Sequence, residues 1–378
     1  MTKSLRILAA ATACAAAAPA FAHHPGGVGN TGGSGPINTI SATTLRAGQG
    51  AAAVMFEIIR LKPLSDETLG AAAKANAPPV VHHEDGEEHE EEEVGGGDHH
   101  DDADGQSPHS LKSIESINIA LAYGITDDLT VSARLPFVRR TDIREGLYFR
   151  EHPELGEDAT VIETLGGASG VGDVTLLGQY RFMNDTASGF EMAALLGVKL
   201  PTGKTNENAN EGERFEAEFQ PGSGSWDGQF GLAATWRQGA WSFDTSALYH
   251  LVTEGTQNTD LGDRLLYGVA LSYRVMGGPP AEEHVHADGA VHLHKSSAKA
   301  LAVDLVLELN GEWHDKQKAG NEVDGNSGGH TLYVSPGVRL SAGDWSGFAS
   351  VGIPVVKDMN GLQPDPDWKL ITGLAFAF

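Results

Sequence analysis

The chain has 378 residues, of which 48 are glycine, 17 are proline and one is cysteine, and its formal net charge is −25. This excess of negative charge excludes nucleic acid and anionic lipid headgroups as binding partners. Beyond the N-terminus no apolar run reaches about 18 residues, so the sequence contains no candidate transmembrane helix.

The first 22 residues have the pattern of a secretory signal peptide. A basic start precedes an apolar core at 7–18, and Ala20-Phe21-Ala22 forms a small-x-small cleavage site. We therefore expect residues 1–22 to be removed and the mature chain to begin at His23, without cysteine and so without disulfides. The alternative is a lipoprotein acylated at Cys14, although the residues before Cys14 lack the usual leucine.

A polar tail and a long β domain follow the signal peptide. Residues 23–45 are rich in Gly, Ser and Thr, which predicts a flexible periplasmic tail. Residues 46–378 predict a β-barrel domain that begins with a strand at 46–61. This domain contains two His-rich insertions, an acidic outside loop at 62–112 and a periplasmic connection at 277–298.

Alternation of apolar and polar residues predicts twelve strands. Successive side chains point to opposite faces of a strand, so every second residue of a segment contributes to one apolar face. In the last segment Leu370, Leu374, Phe376 and Phe378 share such a face. The predicted strands lie at about 46–61, 117–123, 129–137, 174–182, 190–198, 230–236, 241–251, 265–273, 301–309, 332–340, 349–355 and 368–378.

The connections between these strands alternate in length. With the N-terminus in the periplasm, the connections 2–3, 4–5, 6–7, 8–9 and 10–11 are periplasmic, and four of these five are short. The opposite connections, including 62–112, 141–169 and 202–225, are mostly longer and rich in Gly, Asn and Asp. Outer-membrane barrels share this asymmetry. The predicted fold class is therefore all-β: a transmembrane antiparallel up-and-down β-barrel of about twelve strands with long outside loops.

Charged residues in mid-strand favour a barrel over a soluble β-sandwich, because a sandwich core seldom contains arginine whereas a barrel lumen is polar. The residues predicted to line the lumen are Arg134, Arg181, Glu191, Lys199, Asp244, Arg274, Asp304, Glu308 and Arg339. His250 lies on the same strand face as Asp244 and comes closest to an acid–base pair. Two polar residues on one face indicate lumen polarity more than catalysis, so we expect no enzyme activity.

Two stretches resemble a known family of membrane proteins. Gly170-Val171-Gly172-Asp173-Val174 continues to Tyr180-Arg181-Phe182, and Val198-Lys199-Leu200-Pro201-Thr202-Gly203 ends a strand at the outer rim. Both resemble motifs of the outer-membrane transporter family named for the meta-pathway of phenol degradation. The resemblance implies a barrel and passive transport. The chain also ends on Phe378, which resembles the closing strand of such barrels and implies that the barrel-assembly machinery reads Phe378 as an assembly signal.

Histidines cluster in polar segments, and the first cluster lies in the outside loop. Residues 82–109 contain twelve acidic residues and no basic one. Neutral imidazoles with nearby carboxylates can bind Zn, Cu or Ni without a fixed geometry. The candidate metal ligands of this loop are His82, His83, His89, His99, His100 and His109. The alternative is a solvated acidic tract in which the histidines are incidental.

The second cluster, in the connection between strands eight and nine, contains the candidate ligands His284, His286, His292 and His294. Its sequence predicts a small hairpin with an H-x-H pair on each arm. A three-residue loop at 287–289 pairs His284 with His292 and places all four imidazoles on one face. A two-residue turn at 288–289 shifts the register and points the pairs to opposite faces. The sequence does not choose between them.

These features support three hypotheses. The first is a monomeric outer-membrane channel for small solutes whose His-rich loops capture divalent transition metals. The second is a channel for small organic or aromatic compounds with incidental histidines. The third is a non-conducting surface protein that buffers metals. We expect no required cofactor beyond the candidate Zn, Cu or Ni ions, and as partners outer-membrane lipid, the assembly machinery, and small solutes or metal ions.

Overall fold

A computed structural model describes residues 35–77, 107–149, 158–210, 212–277, 283–285, 291–293 and 301–378. The predicted signal peptide and most of the acidic loop lie outside these residues. Twelve long strands form the wall of the molecule, with the bounds Gly50–Lys62 (β1), Ser113–Thr126 (β2), Leu129–Phe149 (β3), Thr175–Asp185 (β4), Phe190–Lys199 (β5), Asp227–Gln238 (β6), Trp241–Leu251 (β7), Arg264–Met276 (β8), Ala302–His314 (β9), Gly329–Ala342 (β10), Trp345–Met359 (β11) and Asp365–Ala377 (β12).

The sheet closes on itself. Each strand pairs antiparallel with its neighbours in sequence, and β1 pairs with β12 from Ala51 opposite Ala377 to Lys62 opposite Asp365. The pairing of β3 with β4 is short, from Leu129 opposite Tyr180 to Arg134 opposite Thr175. The predicted fold, a closed antiparallel barrel of twelve strands, is confirmed.

The alternation in the sequence produces the two faces of this wall. In β12, Leu374 is 62% exposed on the outside, and the next residue, Ala375, is 1% exposed on the inside. In β9, Leu305 and Leu307 are exposed, whereas Asp304 before them and Val306 between them are buried. An apolar outer face matches lipid tails, and the polar inner side chains keep hydrogen-bond partners within the barrel.

The predicted outside loop at 141–169 is mostly strand, which corrects the sequence-based boundary. β3 continues to Phe149, and the strand Ala159–Val171 runs back alongside it. Thr, Ile, Leu and Val in both arms favour extended backbone, and pairing the arms satisfies their backbone groups. This hairpin extends the wall at the long-loop end, beyond the short contact of β3 with β4.

The predicted acidic loop at 62–112 also contains regular structure. Helix α1, Asp66–Asn76, begins at Ser65, whose side chain accepts a hydrogen bond from the backbone of Thr68. Arg144 of the β3 extension contacts Asp66, and Lys74 lies over the ring of Tyr148 at 5.7 Å. The helix is therefore packed on the hairpin and is not part of an irregular loop.

Short elements complete the described residues. They are the strands His109–Ser110, Thr259–Asp260, Glu283–Val285, Val291–Leu293, Lys318–Ala319 and Glu322–Val323, and the 3-10 helix Thr256–Asn258. Within the described ranges no helix has the length and apolarity needed to span a membrane.

The lumen at the short-turn end is filled by residues 36–45, which we call the lumen strap. Ile37 packs against Met55, Phe348 and Ile371 from the inner face of the wall. Ile40 and Ala42 pack against a second apolar cluster, contributed by Leu177, Ala193, Leu195, Ala233 and Leu248. The prediction of a flexible tail at 23–45 was wrong for these residues, because burying their apolar side chains inside the barrel holds the segment. Residues 23–34 lie outside the described part.

The lumen at the long-loop end is covered by the connection of β5 to β6, described at 203–210 and 212–225, which we call the cap segment. Its Phe215 and Phe219 rings pack edge to face at 6.2 Å and join an apolar cluster with Ile59 and Ile143. The Gln220 side chain donates to the Phe215 carbonyl at 2.6 Å. The cap segment is therefore folded inward over the lumen.

Candidate functional site

The lumen strap is anchored by one carboxylate. Glu308 of β9 accepts hydrogen bonds from the backbone N–H groups of Ile37, Asn38 and Thr39 at 3.2, 3.0 and 2.9 Å. Arg339 of β10 contacts the carbonyl of Pro36. Hydrogen bonds to an ionised acceptor are about twice as strong as neutral ones. Glu308 therefore holds the first turn of the strap against β9.

On the opposite side of the barrel, neutral side chains of the wall form hydrogen bonds with the strap backbone. The N–H groups of Ile40, Ala42 and Leu45 donate to hydroxyls of β7, β6 and β3, namely Ser246 at 3.1 Å, Thr235 at 2.8 Å and Thr130 at 2.8 Å. Gln179 of β4 donates to the carbonyls of Ser41 and Thr43 at 2.9 and 3.0 Å. The strap thus spans the lumen and uses side chains on several sides of the wall as backbone partners.

The nine side chains predicted to line the lumen all face the inside of the barrel, and six of them surround the strap. Arg274 donates to both carboxylate oxygens of Asp304 at 2.8 and 3.0 Å. Arg181 pairs with Glu191 at 2.7 Å. Glu308 and Arg339 contact the strap itself, as described above. These residues therefore form a charged ring at the short-turn end, in which opposite charges are paired.

The other three predicted residues are Lys199, Asp244 and Arg134. Lys199 pairs with Asp227 and lies 3.6 Å from Asp173. Asp244 accepts hydrogen bonds from Thr235 at 2.6 Å and from Ser242. Arg134 is buried beside a cavity in the outer half of the lumen.

This cavity, of about 120 Å³, lies between the wall and the cap segment. A second one, of about 60 Å³, lies next to the strap. Charged residues that sequence reasoning missed line these two spaces: Glu57, Arg140, Arg264, Glu312 and Lys369. Residues an even number of positions apart on a strand share one face. This rule could have identified Arg140, which lies six residues after Arg134 in β3, and Glu312, which lies four residues after Glu308 in β9.

The predicted pair His250 and Asp244 is not brought together. Both lie on β7, six residues apart, which corresponds to about 20 Å along a strand. The Nδ1 atom of His250 lies 3.4 Å from the side-chain amide of Gln229. This spacing does not form an acid–base pair.

The predicted metal ligands are mostly outside the described residues. This applies to His82, His83, His89, His99, His100, His286 and His294. The backbone places His284 opposite His292, which is the register expected for the longer of the two hairpin turns. Among the residues that the structure describes, no group of three or more His, Cys, Asp and Glu side chains has the arrangement of a metal site.

His109, the remaining candidate, is buried under the cap segment. Its ring lies 5.2 Å from the Phe219 ring, its Nε2 is 3.6 Å from Glu145, and its Nδ1 is 4.0 Å from Glu216. Burial lowers the pKa of His109 to about 4, so the imidazole is neutral at pH 7.

Acidic groups of the cap segment surround this neutral imidazole. Burial raises the pKa of Glu216 well above its usual range, and the carboxylates of Glu145 and Asp324 raise it further. Burial, Glu216 and Asp324 likewise raise the pKa of Glu218, against the opposing effects of Gln317 and Arg140. Both carboxyls therefore hold protons more tightly in the folded cap than in water.

We expect the cap segment to loosen as pH rises. Because the folded cap binds protons that an open cap would release, its stability is complete at low pH and is lost as pH rises through the raised pKa values. Protease cleavage within 203–225 of the reconstituted protein should therefore accelerate as the buffer pH is raised through these pKa values. E216Q/E218Q should remove this acceleration, whereas E213Q, on an exposed residue of the same segment, should keep it. Equal pH dependence in both variants would contradict the assignment.

Phe378 lies at the seam between the first and last strands. Its backbone N–H donates to the Gly50 carbonyl at 2.9 Å, and its carbonyl accepts from the Gly50 N–H at 2.7 Å. The ring is 67% exposed and stacks on Phe376 at 6.0 Å. An exposed aromatic ring on the outer face is accessible to another protein, and its role as an assembly signal stays a prediction.

Comparison with solved structures finds outer-membrane barrels. The COG4313 outer membrane channel from Pseudomonas putida F1 is 15% identical with a TM-score of 0.50, covering 91% of this chain and 100% of that one. The β domain of the Bordetella autotransporter BrkA is 12% identical with a TM-score of 0.37, covering 88% and 100%. At these identities the similarity shows the fold alone. A search of curated protein sequences finds no match.

The sequence also matches a protein family. The match extends over residues 128–355, from the start of β3 into β11, which is more than half of the chain. It includes both motifs that suggested the resemblance, and the barrel fold places the protein in the outer membrane of a Gram-negative bacterium. This protein is therefore an outer-membrane β-barrel that belongs to the family described as "Putative MetA-pathway of phenol degradation".

Proposed function

We propose that this protein is an outer-membrane channel for small polar solutes, and that the lumen strap keeps its resting state narrow. The observation that carries the proposal is a closed twelve-stranded wall around a charged lumen. Eight-stranded barrels are filled by their own side chains, whereas barrels of 16–18 strands leave an aqueous channel. Twelve strands lie between these limits, and here a separate segment fills the remaining space at one end.

The residues beside the cavities favour polar over hydrophobic solutes. The family description refers to phenol degradation, which would suit the alternative hypothesis of a channel for aromatic compounds. The larger cavity is lined by Arg134, Arg140, Arg264 and Glu57, all buried. Transfer of a neutral aromatic molecule into this space would leave these charges without solvation, which is costly.

Planar bilayer recording tests the channel. The protein should conduct, and R134E and K369E should shift its selectivity towards cations, because charges that line a pore set its ion selectivity. R139E makes the same charge change on the side chain that is 63% exposed at the long-loop end, and it should have little effect. Silence over many insertions, in a protein that migrates on gels as a folded barrel, would favour the non-conducting surface protein.

The second part of the proposal assigns divalent metal capture to the His-rich segments. It is supported by the clustering of histidines in the sequence and by the backbone register in which His284 lies opposite His292. Histidine binds Zn²⁺, Cu²⁺ or Ni²⁺ only when it is neutral, so affinity should fall as pH drops through the unperturbed pKa of about 6.5.

Calorimetry with Zn²⁺ on the full-length protein tests metal capture, at about one pH unit above and one below that value. Binding should weaken at the lower pH, and H284A or H292A should remove the tightest component, because only this segment is predicted to hold one ion between paired histidines. H330A is a control, since His330 lies in β10 of the wall, where it is bound to the Tyr267 hydroxyl at 2.6 Å. Zinc titrations that are unchanged by pH and by both substitutions would leave these histidines incidental.

A further inference from the structure

The outer half of the lumen contains two buried arginines whose Nε donors have no acceptor among the described residues. The larger cavity, of about 120 Å³, is lined by four basic side chains: Arg134, Arg140, Lys199 and Arg264. Lys199 pairs with Asp227, and Arg140 donates to the Gln220 carbonyl at 3.1 Å. Arg134 and Arg264 are only 9% and 6% exposed, and the buried Nε atom of each has no hydrogen-bond partner among the residues that the structure describes.

Each of these arginines has a carboxylate nearby. Glu57 faces Arg134, and Glu312 faces Arg264. The carboxylates offset the charge of the guanidinium groups but leave the Nε donors of both arginines without acceptors. A buried charged donor without an acceptor costs several kcal/mol, so a bound group that accepts these bonds would be strongly favoured.

The chemistry of the cavity selects the kind of group. The planar fork of arginine matches the two oxygens of a carboxylate. Glu57 and Asp173 line the cavity and Glu312 lies near Arg264, and these carboxylates would repel a doubly charged anion such as phosphate more than a singly charged one. Ile59, Ile114, Val138 and Leu261 also line the space and provide apolar surface for a short organic body.

We propose that this cavity binds a small organic monocarboxylate, with Arg134 and Arg264 as its anion-binding residues. This inference rests on the proposed channel, because it names the class of solute that the channel would take. Binding of that solute does not require conduction, however, and is measured separately. A carboxylate in this position accepts the unused hydrogen bonds of both arginines, while its apolar end lies against the side chains beneath the cap segment.

Calorimetry with butyrate on the detergent-solubilised full-length protein tests the site, and butyramide is the neutral probe of the same size. Butyrate should bind saturably, and butyramide should not. R134Q and R264Q should each weaken butyrate binding roughly 10- to 100-fold, which corresponds to loss of a hydrogen bond to a charged group. R134K, which keeps the charge but loses the fork, should retain part of the affinity, and R139Q on the outer rim should match the wild type.

The outcomes separate this inference from the proposed channel. Equal binding of butyrate and butyramide, or butyrate affinity unchanged in R134K, R134Q and R264Q, would overturn the carboxylate site even if the protein conducts. Butyrate binding that is lost in R134Q and R264Q would support the site even if bilayers are silent. Phosphate that competes with butyrate at equal concentration would also contradict the site, because the two glutamates should disfavour a divalent anion.

Discussion

Deletion of residues 36–45, the lumen strap, is expected to raise single-channel conductance several-fold. The strap crosses the lumen and is hydrogen-bonded to β3, β4, β6, β7 and β9. Its removal leaves the short-turn end of a twelve-stranded barrel without a segment to fill it. Conductance of a pore grows with the open cross-section, so the narrowest part of the path should widen. Bilayer recordings of deletion and wild-type proteins, inserted under the same conditions, make the comparison.

Point variants of Glu308, the residue that anchors the strap, test the same role if the deletion impairs assembly of the barrel. E308A removes the acceptor of three strap amides and should give a channel that fluctuates between the resting level and that of the deletion variant. E308Q retains one acceptor oxygen and should fluctuate less. E67A, on the exposed first turn of α1, is the control. A deletion variant that shows normal heat-modifiable migration and wild-type conductance would refute the role of the strap as a closure.

Loss of Asp304 is expected to destabilise the barrel by about 3–5 kcal/mol, the cost of removing one partner of a buried ion pair. The Asp304 side chain is fully buried and accepts two hydrogen bonds from Arg274, whose side chain is 4% exposed. D304A leaves the Arg274 guanidinium inside the barrel without this carboxylate. Urea unfolding in lipid vesicles, followed by tryptophan fluorescence, measures the change.

A double-mutant cycle and an exposed pair control this prediction. The variant R274A/D304A should lose less stability than the sum of the single variants, because the second substitution removes the stranded charge. K62A breaks the pair of Lys62 with Asp367 at 3.8 Å, whose side chains are 61% and 42% exposed. Its cost should not exceed about 1 kcal/mol. Equal costs for D304A and K62A would mean that solvent reaches the inner pair.

The sequence by itself determined the number of strands and the faces of the wall. Alternation with a period of two is a local property, and lipid on one side and a polar lumen on the other impose it on every strand. Parity therefore identified Arg134, Asp304 and Arg339 as inward-facing without any knowledge of their neighbours. Extension of the same parity towards the long-loop end would also have found Arg140 and Glu312.

Only the tertiary structure decided what fills the lumen. The strap contains three threonines and no glycine, its apolar residues Ile37, Ile40, Ala42 and Leu45 do not follow the alternation of a strand, and its main anchor, Glu308, lies 271 residues after Ile37. No local pattern reports a contact at that separation, so the segment had the appearance of a solvated tail. The inward fold of the cap segment likewise depends on the closure of the barrel, as does the burial beneath it of two arginines whose Nε donors have no acceptor. Closure brings side chains from distant strands into one small buried space, where charge and hydrogen bonding are set by neighbours that the linear sequence does not reveal.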